Sequence, residues 1–340
     1  MNKIVNFCFI IFTFAFASCE KDDRAIVLPP PGELTKGEAD IGDAYDKQVY
    51  ISLSTGEQVS RPFRSYDLAF EASATGFHVY LNTGKFMFAC RTGSNDMASA
   101  DTVGNVWYID NDHLDDDSTG ISNTFHNAST PSEVFVIDRG KPEYLFNWNT
   151  RLRKLLIKEV NQTSYIIQYS NYNNTDLKTF VIPKDSTYSL MYFSFDNGGQ
   201  MVQMAPEKSK WDFVFTRYTH TFYEEPVGSP YRHYLVNGGG LNNRWAGVTG
   251  VMIKDSLPNY IPFNDFNFSG VANHSFTSNA DVIGYGWKEY DFNTSNYVIV
   301  PNKYYILKNT LGLYYKIRFV DFYNSLTGVK GYITFEYQRL

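Results

Sequence analysis

The stretch Trp211-Asp212-Phe213-Val214-Phe215-Thr216-Arg217-Tyr218 decides how the rest of the chain is read. Trp211, Phe213 and Phe215 alternate with smaller residues, the period of a strand with one buried face. Upstream, Tyr192-Phe193-Ser194-Phe195 ends in a turn at Asp196-Asn197-Gly198-Gly199. A fainter copy precedes both: Tyr50-Ile51-Ser52-Leu53-Ser54-Thr55-Gly56, then Tyr66-Asp67-Leu68-Ala69-Phe70. Tyr50, Ser52 and Gly56 fall in register with Tyr192, Ser194 and Gly198, and Tyr66-Asp67 falls on Trp211-Asp212. One strand–turn–strand unit is written twice.

A second repeat lies at the far ends. Tyr304-Tyr305-Ile306-Leu307-Lys308-Asn309-Thr310 parallels Tyr144-Leu145-Phe146-Asn147-Trp148-Asn149-Thr150, with Ile157 and Val160 on Ile317 and Val320, and Tyr165-Ile166 on Tyr332-Ile333. Between these ends the spacing predicts strands at Phe77–Leu81 and Lys85–Phe88 joined by an Asn82-Thr83-Gly84 hairpin turn, and further strands at 133–137, 144–146, 155–157 and 165–169. No stretch carries a capped helical period. The expected fold is all-β, two antiparallel β-sheet units in tandem at 43–185 and 186–340.

The 340 residues suffice for two cores, and an aromatic content of 17%, with 26 Tyr and 27 Phe, suits pleated half-buried surfaces. A net charge of −6 carries no electrostatic footprint for nucleic acid. There is no G-x-S-x-G elbow, no H-E-x-x-H and no phosphate-binding glycine loop, so a binding protein rather than an enzyme is expected.

Residues 1–19 read as an export signal: Lys3, an apolar run over 4–17 too short for a stable span, then Phe16-Ala17-Ser18-Cys19. That end resembles the lipobox of bacterial lipoproteins, with Cys19 the lipidated residue. The following Glu20-Lys21-Asp22-Asp23 resembles the signal that sends some lipoproteins to the outer face of the outer membrane. Residues 20–42, stiffened by Pro29-Pro30-Pro31-Gly32, read as a tether. With Cys8 in the signal and Cys19 lipidated, Cys90 is left alone, so no internal disulfide can form.

Tyr192–Phe195, then Trp211-Asp212 with Arg217-Tyr218, resembles the opening of the HmuY family of haem-binding lipoproteins. Tyr305–Leu307, Tyr315–Tyr323 and Gly328–Tyr337 resemble that family's terminal strands. The resemblance implies an all-β body whose loops clamp one haem, captured outside the cell and passed to an outer-membrane transporter of the TonB-dependent type. It also implies paired His or paired Met as axial ligands, one mid-unit and one shortly before the terminal strands. On those positions the candidates are His113 and His126 in the first unit, and His274 with Met252 in the second. Phe292 stands where the second unit's other ligand is expected, and a phenyl ring cannot bind iron.

A neutral imidazole suits haem iron. His78 and His220 lie in or at the end of strands and read as packing or hydrogen-bonding groups, and His233 has no assignment. The acidic loop Asp110-Asn111-Asp112-His113-Leu114-Asp115-Asp116-Asp117 lacks the glycine and distal glutamate of an EF-hand and reads as solvated, so no metal beyond haem iron is expected. Clustered aromatics could line a porphyrin slot or a sugar-binding face. The expected function is haem or porphyrin capture at the cell surface. The alternatives are an interaction lipoprotein that kept the fold without the ligand, and a polysaccharide-binding protein.

Overall fold

The computed structural model describes residues 30–121 and 133–340. The first half supplies β1 (Thr35–Asp40), β2 (Lys47–Ile51), β3 (Gln58–Pro62), β4 (Leu68–Glu71), β5 (Val79–Leu81), β6 (Phe88–Arg91), β7 (Trp107–Tyr108), β8 (Val134–Asp138), β9 (Leu152–Val160) and β10 (Ser164–Asn171). From β11 (Lys178–Pro183) the chain runs through β12 (Leu190–Ser194), β13 (Gln200–Val202), β14 (Phe213–Thr221), β15 (His233–Asn242) and β16 (Thr249–Lys254). It ends with β17 (Lys288–Asp291), β18 (Asn296–Ile299), β19 (Lys303–Lys308), β20 (Tyr314–Tyr323) and β21 (Lys330–Arg339). The all-β expectation holds: among the described residues every helical piece is a short 3-10 turn, and no helix is long and apolar enough to cross a membrane.

The strands form sheet I (β11-β10-β9-β8-β6-β7), sheet II (β13-β12-β4-β5), sheet III (β15-β14-β2-β3) and sheet IV (β1-β21-β20-β19-β16), with β17–β18 as a separate hairpin. Their side chains stack the sheets as four layers. Leu68, Phe70 and Phe193 of sheet II pack on Phe135, Leu155 and Ile167 of sheet I. Phe213 and Phe215 of sheet III pack on Ile317, Ile333 and Phe335 of sheet IV. Between the middle sheets lies a third core of Tyr50, Ala69, Tyr80, Tyr192, Trp211 and Val214.

The halves are interlocked. β2 pairs with β14 (Val49↔Phe215, Tyr50↔Val214, Ile51↔Phe213), and β12 pairs with β4 (Met191↔Phe70, Tyr192↔Ala69, Phe193↔Leu68). Under the sequence register these ladders are the same ladder twice, each joining one half's first motif strand to the other half's second. The exchange recurs outside: β11 pairs with β10, and β1, which leads into β2 as β11 leads into β12, pairs with β21. The first strand among the described residues thus completes the sheet of the last ones. Residues 35–40, read as tether, are strand because β21 presents them with an unpaired edge.

Local expectations fail in three places. Trp211 does not share a face with Phe213 and Phe215; it lies in the central core edge-on to Tyr50, because the ladder with β2 begins only at Phe213. Asn82–Gly84 is no hairpin turn: β5 stays in sheet II while β6 enters sheet I. The chain crosses there through a 3-10 turn and Phe86 at positive φ (64°), with the Asn82 amide bonded to the Phe63 and Tyr66 carbonyls. Tyr144–Phe146 is a 3-10 turn and the residues after it, since Pro142 withholds a ladder donor; β8 takes the strand place.

Candidate functional site

An open aromatic surface lies on the second half. The β17–β18 hairpin carries Phe292 at its tip, 86% exposed, with Tyr290 ring-to-ring with both Phe292 (5.1 Å) and Tyr297 (5.2 Å). These rings face Phe222, Tyr234 and Tyr285 across a cleft of about 300 Å³, the small end of the range for small-molecule sites. Lys288 lines the same cleft. Its side chain is buried, donates to the Asn237 carbonyl (2.9 Å) and lies over Trp287, Tyr297 and Phe322. Burial pushes its ammonium down to about 7.

Outside the lining itself, His220 packs against two of the cleft rings, Phe222 (4.8 Å between centroids) and Tyr285 (5.1 Å). Here the acidic loop of the first half meets the second half. His220 Nδ1 bonds the buried Asp112 carboxylate, and His113 Nδ1 bonds Asp281 Oδ1 at 2.5 Å. The Ala280 N–H donates to the His113 carbonyl (3.0 Å), and the Arg244 guanidinium bonds the Leu114 carbonyl and Asp116. The loop is therefore anchored rather than solvated. Burial lowers the His113 imidazole, but the bond to Asp281 and the charges of Asp112 and Asp115 outweigh it, so its pKa ends above the usual value. Burial, then Asp112, pushes the Asp281 carboxyl up, partly offset by His113.

The other candidates lie elsewhere. His274 follows the 3-10 turn Phe268–Asn273 and packs on Phe266 (5.8 Å), with Nε2 buried and unpartnered. Met252, in β16, packs into the core between sheets III and IV, while its neighbours Val251 and Ile253 face the cluster containing Phe266. His274 packs in the cluster on one side of β16 and Met252 points to the other, so the two do not converge, and neither lines the aromatic cleft. His126 and Cys19 lie outside the described residues. His78 Nδ1 bonds Glu71 (2.8 Å) and His233 Nδ1 meets the Thr221 hydroxyl (3.1 Å), so both are structural contacts. His220, read as a packing or hydrogen-bonding group, does both, whereas Asp281 escaped the sequence reading because its partner His113 lies far along the chain.

Four stacked antiparallel sheets built from two exchanged copies, with an aromatic cleft on one flank, describe a binding scaffold. The model of the HmuY family (HmuY protein) matches residues 44–190 and again 186–337, and the chain belongs to that family. No curated protein matches it. Among solved structures the chain is similar to apo PinO from Porphyromonas gingivitis: 11% identity, 91% of this chain and 97% of that one covered, TM-score 0.27. It is also similar to the apo HmuY analog of Tannerella forsythia, at 12% identity, 92% and 98% coverage and TM-score 0.27. A putative HmuY-like heme binding protein from Bacteroides vulgatus is 20% identical over 41% of this chain and 78% of that one, with TM-score 0.19.

Proposed function

We propose that the chain is a surface lipoprotein, anchored through Cys19 in the outer membrane, that binds haem or a related porphyrin and passes it to an outer-membrane transporter of the TonB-dependent type. The observation that carries the proposal is the open cleft of Phe222, Tyr234, Tyr285, Tyr290, Phe292 and Tyr297. Membership of the HmuY family supports it, as does the heme-binding description carried by the Bacteroides vulgatus relative.

The cleft fits the macrocycle better than the iron. Its rings offer faces and edges to a flat apolar disc, and Lys288 offers a cation to a propionate. The described residues that line it include no imidazole and no thioether. Stacking is therefore assigned the larger share of binding, and the iron a minor one. When bound, haem would supply only its own redox and ligand chemistry; the chain's part is to stack, shield and orient it.

Titrating the full chain with haem and with metal-free protoporphyrin tests this. Both should bind at one equivalent with comparable affinity, haem with a red-shifted Soret band. Haem alone binding would move the assignment from stacking to iron ligation. A second reading, an interaction protein without a ligand, is favoured by Phe292 at the expected ligand position; it predicts that neither compound binds. Quenching of Trp fluorescence by glycans but not by porphyrins would instead favour a polysaccharide ligand.

A further inference from the structure

We propose that Asp112, His113, His220 and Asp281 form a binding site for a divalent first-row transition-metal ion of the zinc type, seated between the two halves of the chain. One ligand atom each from Asp112, His113 and Asp281 lies within 4.8 Å of the others. His220 joins them through its bond to Asp112. Ligands about 2 Å from a zinc ion stand roughly 3–3.5 Å apart, so small side-chain rotations bring Asp112, His113 and Asp281 to that spacing, with His220 a fourth ligand reached through Asp112.

The donor chemistry selects the metal class. Two imidazoles and two carboxylates match zinc and its first-row neighbours, whereas calcium takes oxygen donors alone. The charge balance points the same way. The Asp112 side chain is 2% exposed and that of Asp281 16%, yet among the described residues neither forms an ion pair with a lysine or arginine. Two nearby carboxylates facing only imidazoles lack the compensation that buried charges require, and a dication supplies it.

An independent observation comes from Tyr218. Its hydroxyl is buried without a hydrogen-bond partner, although buried tyrosine hydroxyls ordinarily find one. It stands beside the Asp281–Gly284 turn: a Cβ added at Gly284 would lie 3.6 Å from the hydroxyl and 2.9 Å from the Asp281 carbonyl oxygen. A water on the metal, or a carboxylate turned toward it, would satisfy this donor.

The other acid–histidine group, Glu71, His78 and Asp116, has no such vacancy. Glu71 Oε2 already accepts from His78 Nδ1 and the Phe77 and His78 N–H groups, and Asp116 from Tyr80 and Arg244. A metal at the first group would pin the acidic loop of the first half to the second half, beside His220, whose ring packs on Phe222 and Tyr285.

Calorimetric titration of Zn²⁺ into the chelator-treated full chain, free of any histidine tag, tests the site. One equivalent should bind, and Co²⁺ at the same site should give visible d–d absorption. His113→Ala and Asp281→Asn should each weaken Zn²⁺ by at least about tenfold, while His78→Ala leaves it unchanged. His113 is partly exposed, so its variant should fold even where Asp281→Asn does not. No stoichiometric binding, or wild-type affinity in a folded His113→Ala, overturns the proposal. The titration contains no porphyrin, so its failure is separate from failure of the porphyrin assignment.

Discussion

Asp67 and Asp212 occupy the same place in the two halves and do the same backbone work with opposite electrostatics. Each crosses to the other half and caps its turn: Asp67 Oδ2 accepts from the Phe195 N–H, and Asp212 Oδ2 from the Leu53 N–H, both at 2.7 Å. Asp67 is then flanked by buried cations. Arg139 grips both its oxygens at 2.9 Å and Lys85 bonds Oδ1. Asp212 has neither, and its Oδ1 accepts from the Thr310 N–H and hydroxyl at 3.1 Å. In the first half Arg139 stands between Thr150 and Asp67, bonding both. Burial raises both carboxyls, but Lys85 and Arg139 hold Asp67 well below the usual range, while Asp212 stays above it. One geometric role tolerates two charge solutions, because the capping bonds need an oxygen at a point rather than a net charge.

The sharpest way to break this comparison is Asp67→Asn. It leaves Lys85 and Arg139 buried without their carboxylate, and about 3–5 kcal/mol of stability should vanish in urea unfolding. A loss below about 1 kcal/mol would mean that the cations re-pair with Asp196, which already touches Arg139 at 2.9 Å. Next, Gly37→Val tests β1, the edge strand of sheet IV. A Cβ at Gly37 would lie 2.4 Å from the Phe335 ring, so overpacking should cost about 1–3 kcal/mol and loosen β1, seen as faster amide exchange in β21. Protection unchanged in β21 would show that β1 is dispensable.

Asp212→Asn should cost only about 1 kcal/mol, since the amide keeps one acceptor and strands no cation. The two aspartates also part with pH. Asp67, with its folded pKa depressed, stabilises above the unfolded value near 4 and loses that contribution as pH falls below it and through the folded value. Asp212, with its folded pKa raised, stabilises in acid and loses that contribution as pH rises through the folded value. The wild-type advantage over each variant should therefore shrink in opposite directions. Parallel curves would contradict the assigned charge states.

The smallest effect concerns the cleft. Phe292→Ala should weaken porphyrin by about 0.5–1.5 kcal/mol, while Phe146→Ala, an exposed ring on the first half, leaves it unchanged. Lys288 adds a pH signature. Its amine, with a pKa near 7 in the free protein, must be protonated to pair with a propionate, so affinity should fall as pH rises above 7. Lys288→Met should flatten that fall; a pH-independent wild type would remove the lysine from the site.

The duplication was legible because Tyr50, Ser52 and Gly56 hold their spacing against Tyr192, Ser194 and Gly198, and Tyr66-Asp67 follows the first set as Trp211-Asp212 follows the second. Lys85 and Arg139 were not: lysine and arginine in polar or turn-like stretches read as surface, and only their convergence on Asp67 explains their burial. The candidate site was legible in one part. Phe292 was singled out by position, and it does stand on the aromatic cleft. His113 was read as a ligand candidate, but its partner Asp281 lies far along the chain, and no spacing rule connects residues that meet only through tertiary contacts.

By itself the sequence determined that the chain is β-structured and that it repeats, because a period of two and a register of matching residues are local properties. The tertiary structure alone decided which strands pair. A strand's alternation says which side chains share a face, but its N–H and C=O groups accept any edge of suitable register, near or far along the chain. That freedom let Phe213–Thr221 pair with Lys47–Ile51 of the other half and lie buried on both faces, and it let β1 pair with β21.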